Sequence, residues 1–126
     1  MAHANTSDTG VVRLKTRPQF LFVRGGVSER RKTVVVQARK PKDSLVIGAG
    51  FTATKKVGNS VIRNRSKRRL REAARLLLPL HGRVGTNYVF IARMETATIG
   101  WQRLLDDMES ALISLAEQIS AGTGPA

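Results

Sequence analysis

The sequence contains no cysteine, only two histidines and few aromatic residues, which make up 5% of the chain. The absence of cysteine excludes disulfides, thiolate metal sites and cysteine nucleophiles. The histidines offer little for a protein-based general acid and base, because His3 lies near the start of the chain and His81 is expected in a solvent-facing loop. We therefore expect no catalytic residue and no metal site in the protein itself.

Long apolar runs are also missing from the sequence. None approaches the roughly 20 residues that are needed to cross a bilayer. The first ten residues lack the apolar stretch of a signal peptide. The sequence thus predicts a soluble, cytoplasmic protein with no membrane partner.

Acidic residues are scarce, since nine Asp and Glu stand against 22 Lys and Arg, for a net charge of +13. Such an excess repels itself in a compact fold and is commonly maintained because a polyanion screens it. The excess is local: residues 55–75 carry nine basic groups and only Glu72, whereas residues 93–126 carry two basic groups and five acidic ones. We expect nucleic acid as the partner. The two alternatives are that the protein binds an anionic membrane surface and that the charge only keeps the protein soluble.

Hydrophobic periodicity predicts an α+β fold, a small two-layer α-β sandwich with about four strands and three helices in the order α-β-β-(β)-α-β-α. The predicted helices cover residues 16–25, 60–78 and 98–119. The predicted strands cover residues 33–39, 45–54 and 87–93, with a possible short strand at 27–32 or 55–58. We expect one RNA-binding domain over residues 13–120, after a flexible leader at 1–12 and before a frayed tail at 121–126.

Residues 45–54 alternate in the manner of a strand with one buried face. Its apolar face is predicted to carry Leu45, Ile47, Ala49, Phe51 and Ala53. The opposite face carries Gly48, Gly50, Thr52 and Thr54, whose small side chains would let another group approach the sheet closely. The last helix is predicted to bury a stripe that includes Trp101, Leu104, Met108 and Leu112.

The middle helix has two distinct sides at about 100° per residue. Its apolar side is predicted to contain Ile62, Leu70, Ala73, Ala74 and Leu77. A neighbouring arc carries Arg63, Asn64, Lys67, Arg68, Arg71 and Arg75, while Arg65, Arg69 and Glu72 lie further round. Like charges three and four residues apart destabilise an isolated helix, and arginine favours bidentate phosphate contacts. The pattern therefore favours phosphate binding over a merely solvated basic face.

At these residues the chain resembles the bacterial ribonuclease P protein family. The family hallmark is an Arg-Asn-Arg segment and a Lys-Arg pair on a helix that a basic loop precedes. Here these are Lys55-Lys56, Arg63-Asn64-Arg65, Lys67-Arg68 and Arg71. The resemblance extends from about Arg13 to Ile119 and implies an α-β sandwich with a left-handed βαβ crossover.

The resemblance also implies two RNA surfaces. The helix with Arg63, Asn64, Arg65, Lys67, Arg68 and Arg71, supported by Lys55 and Lys56, would contact ribonuclease P RNA. A cleft between the first helix and the sheet, with Phe20, Arg24, Gly50 and Thr52 nearby, would hold the 5′ leader of precursor tRNA. Phe20 could equally be a core aromatic. The family often has a second aromatic where this chain has Arg24, so leader binding would depend more on charge here.

In this reading the RNA partner uses Mg²⁺ to cleave the phosphodiester, and the protein binds no cofactor and requires no protein partner. The acidic residues Asp106, Asp107 and Glu109 are expected to form a solvated face. Two other functions stay open from the residues alone: a ribosomal or ribosome-assembly RNA-binding protein without a catalytic role, and a DNA-binding regulator that reads the major groove.

Overall fold

The structure, a computed structural model, describes residues 10–120. Three helices lie in this part of the chain: Arg17–Arg24 (α1), Ser60–His81 (α2) and Trp101–Ser120 (α3). A 3-10 turn, Lys55–Val57, precedes α2. The strands are Val11–Arg13 (β1), Val27–Arg30 (β2), Val34–Arg39 (β3), Ile47–Thr52 (β4) and Asn87–Ala92 (β5).

The strands form one mixed sheet in the order β1-β4-β5-β3-β2. Strand β4 runs parallel to both of its neighbours. Its Ile47 lies opposite Val11 of β1, and its Phe51 lies opposite Phe90 of β5. Strands β5, β3 and β2 follow one another in antiparallel pairs. The adjacent parallel strands β4 and β5 are joined through α2, so α2 is the crossover of a βαβ unit.

The two faces of the sheet are covered unequally. Helices α2 and α3 cover one face, where the main core gathers the large buried side chains Leu70, Leu78, Tyr88, Phe90, Met108 and Leu112. The short helix α1 packs on the other face over a small cluster of Leu14, Val23 and Val89. Most of the apolar core therefore lies on the α2–α3 side.

Local sequence signals explain where the helices begin. The backbone N–H groups of Lys15 and Thr16 both donate to Gln19 Oε1, at 2.7 and 2.9 Å, which fixes the first turn of α1. The side chain of Asn59 caps α2 by accepting a 2.9 Å hydrogen bond from the Ile62 N–H. Both helices begin within one residue of the predicted starts at positions 16 and 60.

The predicted fold class is confirmed, with differences in strand number and order. The sheet has five strands, because β1 lies before α1 and was not predicted. Val11 and Val12 therefore belong to the sheet, where the sequence predicted a flexible leader. The optional short strand is β2, whereas Lys55–Val57 forms a 3-10 turn. The rest of the predicted leader, residues 1–9, and the predicted tail, 121–126, lie outside the described residues.

Four other local predictions were wrong. Helix α2 continues through Pro79 to His81, since a proline in the last turn removes only one hydrogen bond near the end of the helix. His81 consequently ends a helix and does not lie in a loop. Leu45 is 84% exposed because β4 begins only at Ile47. Trp101 is partly exposed because the core contacts of α3 begin one turn later, at Leu104.

Candidate nucleic-acid interface

Helix α2 separates its apolar side from a row of outward cations. The buried side contains Leu70, Ala73, Ala74 and Leu77, as predicted, and Leu78 as well, whereas Ile62, predicted on the same side, is only half-buried. We call Arg63, Asn64, Lys67, Arg68 and Arg71 the α2 row. Asn64, Arg68 and Arg71 are exposed, and Arg63 and Lys67 are half-buried. The structure thus places the predicted RNA-binding residues of this arc along one side of a 22-residue helix.

The cations of the α2 row have no partners in the part of the chain that the structure describes. Across residues 10–120, no hydrogen bond or ion pair engages the side chain of Arg63, Lys67, Arg68 or Arg71. The neighbouring Arg75 pairs with Glu72 on the same exposed helix surface. Because each guanidinium carries five donors in a planar fork, the row offers unused donors that match phosphate oxygens. A helix of this length spans about 33 Å, enough to meet several successive phosphates.

Lys55 and Lys56 extend the positive charge beyond the start of the row. Both are exposed in the 3-10 turn that leads into α2. Gly58 follows this turn with φ of +151°, and a Cβ atom at Gly58 would lie 2.9 Å from the side chain of Ile62. The glycine therefore lets the turn fold closely against the first turn of α2.

Arg65 and Arg69 lie on the side of α2 away from the row, and only Arg65 is exposed. Arg69 donates 2.6 Å hydrogen bonds to the carbonyl oxygens of Thr96 and Ile99, and its guanidinium lies 5.7 Å from the centre of the Trp101 ring. Burial lowers the pKa of Arg69, and the nearby charge of Arg65 lowers it further. Arg69 therefore fixes the loop between β5 and α3. Helical spacing alone could not assign it this role.

A second surface lies where α1 meets the sheet. The Phe20 ring is half-buried and packs directly over β4, since a Cβ atom at Gly50 would lie 2.7 Å from that ring. Phe20 also contacts the small cluster around Leu14 and Val23. The small face of β4 is thus approached closely, as predicted, and the approaching group is an aromatic side chain of the chain itself.

Phe20 also faces open space. It lines a cavity of about 380 Å³ together with Arg13, Leu14, Lys15 and Phe51. The ring therefore has one side in the small cluster and another on a cavity with basic residues at its wall. The sequence left open whether Phe20 is a core residue or a cleft residue. The structure gives it both positions, because one side of the ring contacts the small cluster and the other lines the cavity.

The other residues predicted near the leader are less closely associated with this cavity. Arg24 is exposed in the last turn of α1, one helical turn beyond Phe20, and Thr52 is half-buried near the end of β4. Neither lines the cavity at Phe20. Sequence reasoning did not assign a site role to Arg13 or Lys15, although both stand in the basic segment that precedes α1.

Two acidic residues of α3, Asp107 and Glu109, bond within the fold to residues outside the α2 row. Asp107 accepts hydrogen bonds from Thr33 Oγ1 at 2.9 Å and from Arg103 Nε at 3.1 Å. Glu109 lies 2.8 Å from His81 Nε2. The expectation of a wholly solvated acidic face was therefore wrong for these two carboxylates, because the turn between β2 and β3 and the end of α2 supply partners.

Residues 10–120 contain neither a metal-binding cluster nor a membrane-spanning helix. No group of three or more His, Asp and Glu side chains in this range is arranged to hold a metal ion. None of the helices in this range has the length and apolar character needed to cross a membrane.

Comparison with known proteins identifies the family. The family model described as Ribonuclease P matches residues 10–116. The chain is 53% identical over 111 residues to the "Ribonuclease P protein component" of Caulobacter vibrioides strain NA1000 / CB15N, which covers 87% of this chain and 74% of that protein. It is 46% identical over 112 residues to the protein of the same name from Ruegeria pomeroyi, covering 86% and 90% of the two chains.

Solved structures agree with this assignment. The RNase P protein of Staphylococcus aureus superposes with a TM-score of 0.70 at 25% identity, covering 82% of this chain and 94% of that one. The RNase P protein from Thermotoga maritima gives a TM-score of 0.69 at 25% identity, covering 81% and 96%. With the arginine helix, the fold and the close relatives in agreement, the chain belongs to the ribonuclease P protein family.

Proposed function

We propose that this chain is the RNA-binding protein subunit of a ribonuclease P ribonucleoprotein, which removes the 5′ leader of precursor tRNA by endonucleolytic cleavage. The observation that carries the proposal is the α2 row, whose cations face outward on one side of a helix and have no partners within residues 10–120. The family membership supports ribonuclease P RNA as the polyanion that these groups meet.

The α2 row supplies the contact with ribonuclease P RNA. Arg63, Arg68 and Arg71 bind phosphate oxygens through their guanidinium forks, and Lys67 contributes a point charge. Asn64, exposed between them, donates a hydrogen bond to a base edge or a 2′-hydroxyl. Lys55, Lys56 and Arg65 add charge at the edges of the row. Binding of this kind releases counterions, so its affinity falls steeply with salt.

The cavity at Phe20 receives the single-stranded leader. An unpaired base stacks on the accessible side of the Phe20 ring, while Arg13 and Lys15 contact its phosphates. Gly50 permits this arrangement because it lets the ring lie against β4. Arg24 lies one turn further along α1 and attracts the leader by charge alone.

Cleavage in this proposal is performed by the RNA. The RNA partner with its Mg²⁺ breaks the phosphodiester. The protein binds the leader and helps to order the folded RNA. The side chains that contact RNA in this proposal are arginine, lysine, asparagine and phenylalanine, which bind and stack but do not supply a general acid and base at neutral pH.

Reconstitution tests the proposal. The chain is added to its cognate ribonuclease P RNA at an Mg²⁺ concentration where the RNA alone is slow, and cleavage of precursor tRNA is measured. We expect stimulation of cleavage, and tighter binding of precursor tRNA than of mature tRNA without a leader. No stimulation with the cognate RNA, or sedimentation of the chain with ribosomes and without ribonuclease P RNA, would overturn the proposal.

A further inference from the structure

A second cavity, of about 170 Å³, lies between the edge strand β1 and α2. Val11, Phe51 and Leu78 are among its apolar walls, and three arginines, Arg13, Arg71 and Arg75, complete its lining. An apolar cavity of about 150 Å³ accepts a benzene ring. The cavity between β1 and α2, here called the β1–α2 cavity, therefore has room for one planar ring.

The arginines give this cavity a definite chemistry. The Arg13 guanidinium lies over the Phe51 ring, 5.6 Å from its centre, and within residues 10–120 it makes no hydrogen bond or ion pair. Arg71 belongs to the α2 row, and among the described residues Arg75 pairs only with the exposed Glu72. An apolar recess with a cationic rim suits a group that is flat and apolar on one side and anionic on the other. A nucleotide has this character, with its base and its phosphate.

The β1–α2 cavity adjoins the cavity at Phe20. The cavity at Phe20 and the β1–α2 cavity both have Arg13 and Phe51 in their walls. A strand that stacks at Phe20 can therefore pass Arg13 and enter the second cavity without leaving the protein surface. Only an unpaired strand can do so, since a paired base is held in its duplex.

We infer that the β1–α2 cavity binds one further unpaired nucleotide of the precursor-tRNA leader, beyond the part held at Phe20. Its base stacks against the apolar wall near Phe51, and Arg13 contacts its phosphates. This inference rests on the proposed function. The lining side chains other than the arginines have no hydrogen-bonding groups, so the cavity accepts any base, with a preference set by stacking strength.

Leader length tests the inference. The complex of the chain with ribonuclease P RNA is titrated with precursor tRNAs whose leaders are lengthened by one nucleotide at a time. We expect one gain in affinity when the leader reaches Phe20 and a second, about five- to tenfold, when it reaches the β1–α2 cavity. Val11→Trp, which fills the cavity from the edge strand, should abolish only the second gain.

Val84→Trp is the matched control, because Val84 is 68% exposed in the loop after α2 and lines neither cavity. It should keep both gains. A second gain that persists in Val11→Trp, or that is absent from the unmodified chain, would overturn the inference. Weaker binding of ribonuclease P RNA by Val11→Trp, equal with short and long leaders, would show that the cavity holds the catalytic RNA and would also overturn it.

Crosslinking provides a test that does not depend on the bulk of tryptophan. Since the chain has no cysteine, Val11→Cys can carry a single photoreactive group, with Val84→Cys as the control. We expect crosslinks from position 11 to a leader nucleotide farther from the cleavage site than any that contacts Phe20. Crosslinks from position 11 to ribonuclease P RNA alone would contradict the inference. If no leader length improves binding even to the unmodified chain, the proposed leader role itself fails, which is a separate result.

Discussion

Helices α2 and α3 lie side by side on the same face of the sheet and are nearly equal in length, at 22 and 20 residues. Their charged residues are used differently. On α3, Asp107 and Glu109 are paired with side chains from other elements. On α2, Arg69 and His81 contact other parts of the fold, and the cations of the α2 row are left without partners within residues 10–120. The comparison suggests that the charges of α3 serve the fold and those of the α2 row serve binding.

Removing two cations of the α2 row should have the largest effect. Arg63→Ala combined with Arg68→Ala is expected to weaken binding of ribonuclease P RNA by about 100-fold, because two charge-assisted contacts are lost. The slope of log K against log salt should become shallower by about 1.5. The free energy of unfolding should stay within about 1 kcal/mol of the original.

The control for that variant removes the same charge elsewhere. Lys32 and Lys42 are exposed and lie in loops away from α2. Lys32→Ala combined with Lys42→Ala should change RNA affinity far less than the α2 pair. An equal loss in both double variants would mean that net charge, and not the row, determines binding.

Arg69 and Arg68 are neighbours in sequence on one helix, but we assign Arg69 to the fold and Arg68 to RNA binding. Replacing each with alanine tests this difference. Arg69→Ala removes two hydrogen bonds to carbonyl oxygens and should lower the free energy of unfolding by about 2 kcal/mol. Arg68→Ala should change it by less than about 0.5 kcal/mol. Urea denaturation measures both, and similar values for the two variants would contradict the assignment of Arg69 to the fold.

The adjacent carboxylates of α3 give a smaller contrast. Asp107→Ala leaves the buried Thr33 hydroxyl without its acceptor and should cost about 1.5 kcal/mol of stability. Asp106 is exposed, and within residues 10–120 it bonds only to Gln102 of its own helix, so Asp106→Ala should cost less than about 0.5 kcal/mol. Neither variant should weaken RNA binding. A marked loss of RNA affinity in either one would place α3 in the interface.

The elements with strong periodic patterns could be predicted from the sequence. The apolar side of α2, the arc of its cations and the strands around residues 34–39 and 87–92 follow from alternation and helical spacing. Strand β1 escaped prediction because three residues are too few to show a period, and its pairing partner β4 lies more than 30 residues away. Helix α2 passed through Pro79 because packing of Leu77 and Leu78 outweighs the loss of one hydrogen bond.

The site was predictable where it depends on one helix and less so where elements meet. The α2 row follows from spacing along a single element. Arg69 is an arginine of the same helix as the α2 row, but its role depends on the loop at residues 96–99. This loop comes near Arg69 only in the folded chain. The two-sided position of Phe20 and the shared walls at Arg13 and Phe51 likewise depend on how β1, β4 and α1 come together.

The salt dependence of binding between this chain and ribonuclease P RNA tests the central claim most directly. If the α2 row and its neighbours neutralise about six phosphates, log K should fall with log salt at a slope of roughly −4 to −5. A slope near −1 would mean that the outward cations of α2 do not meet the phosphate backbone, and it would contradict the account.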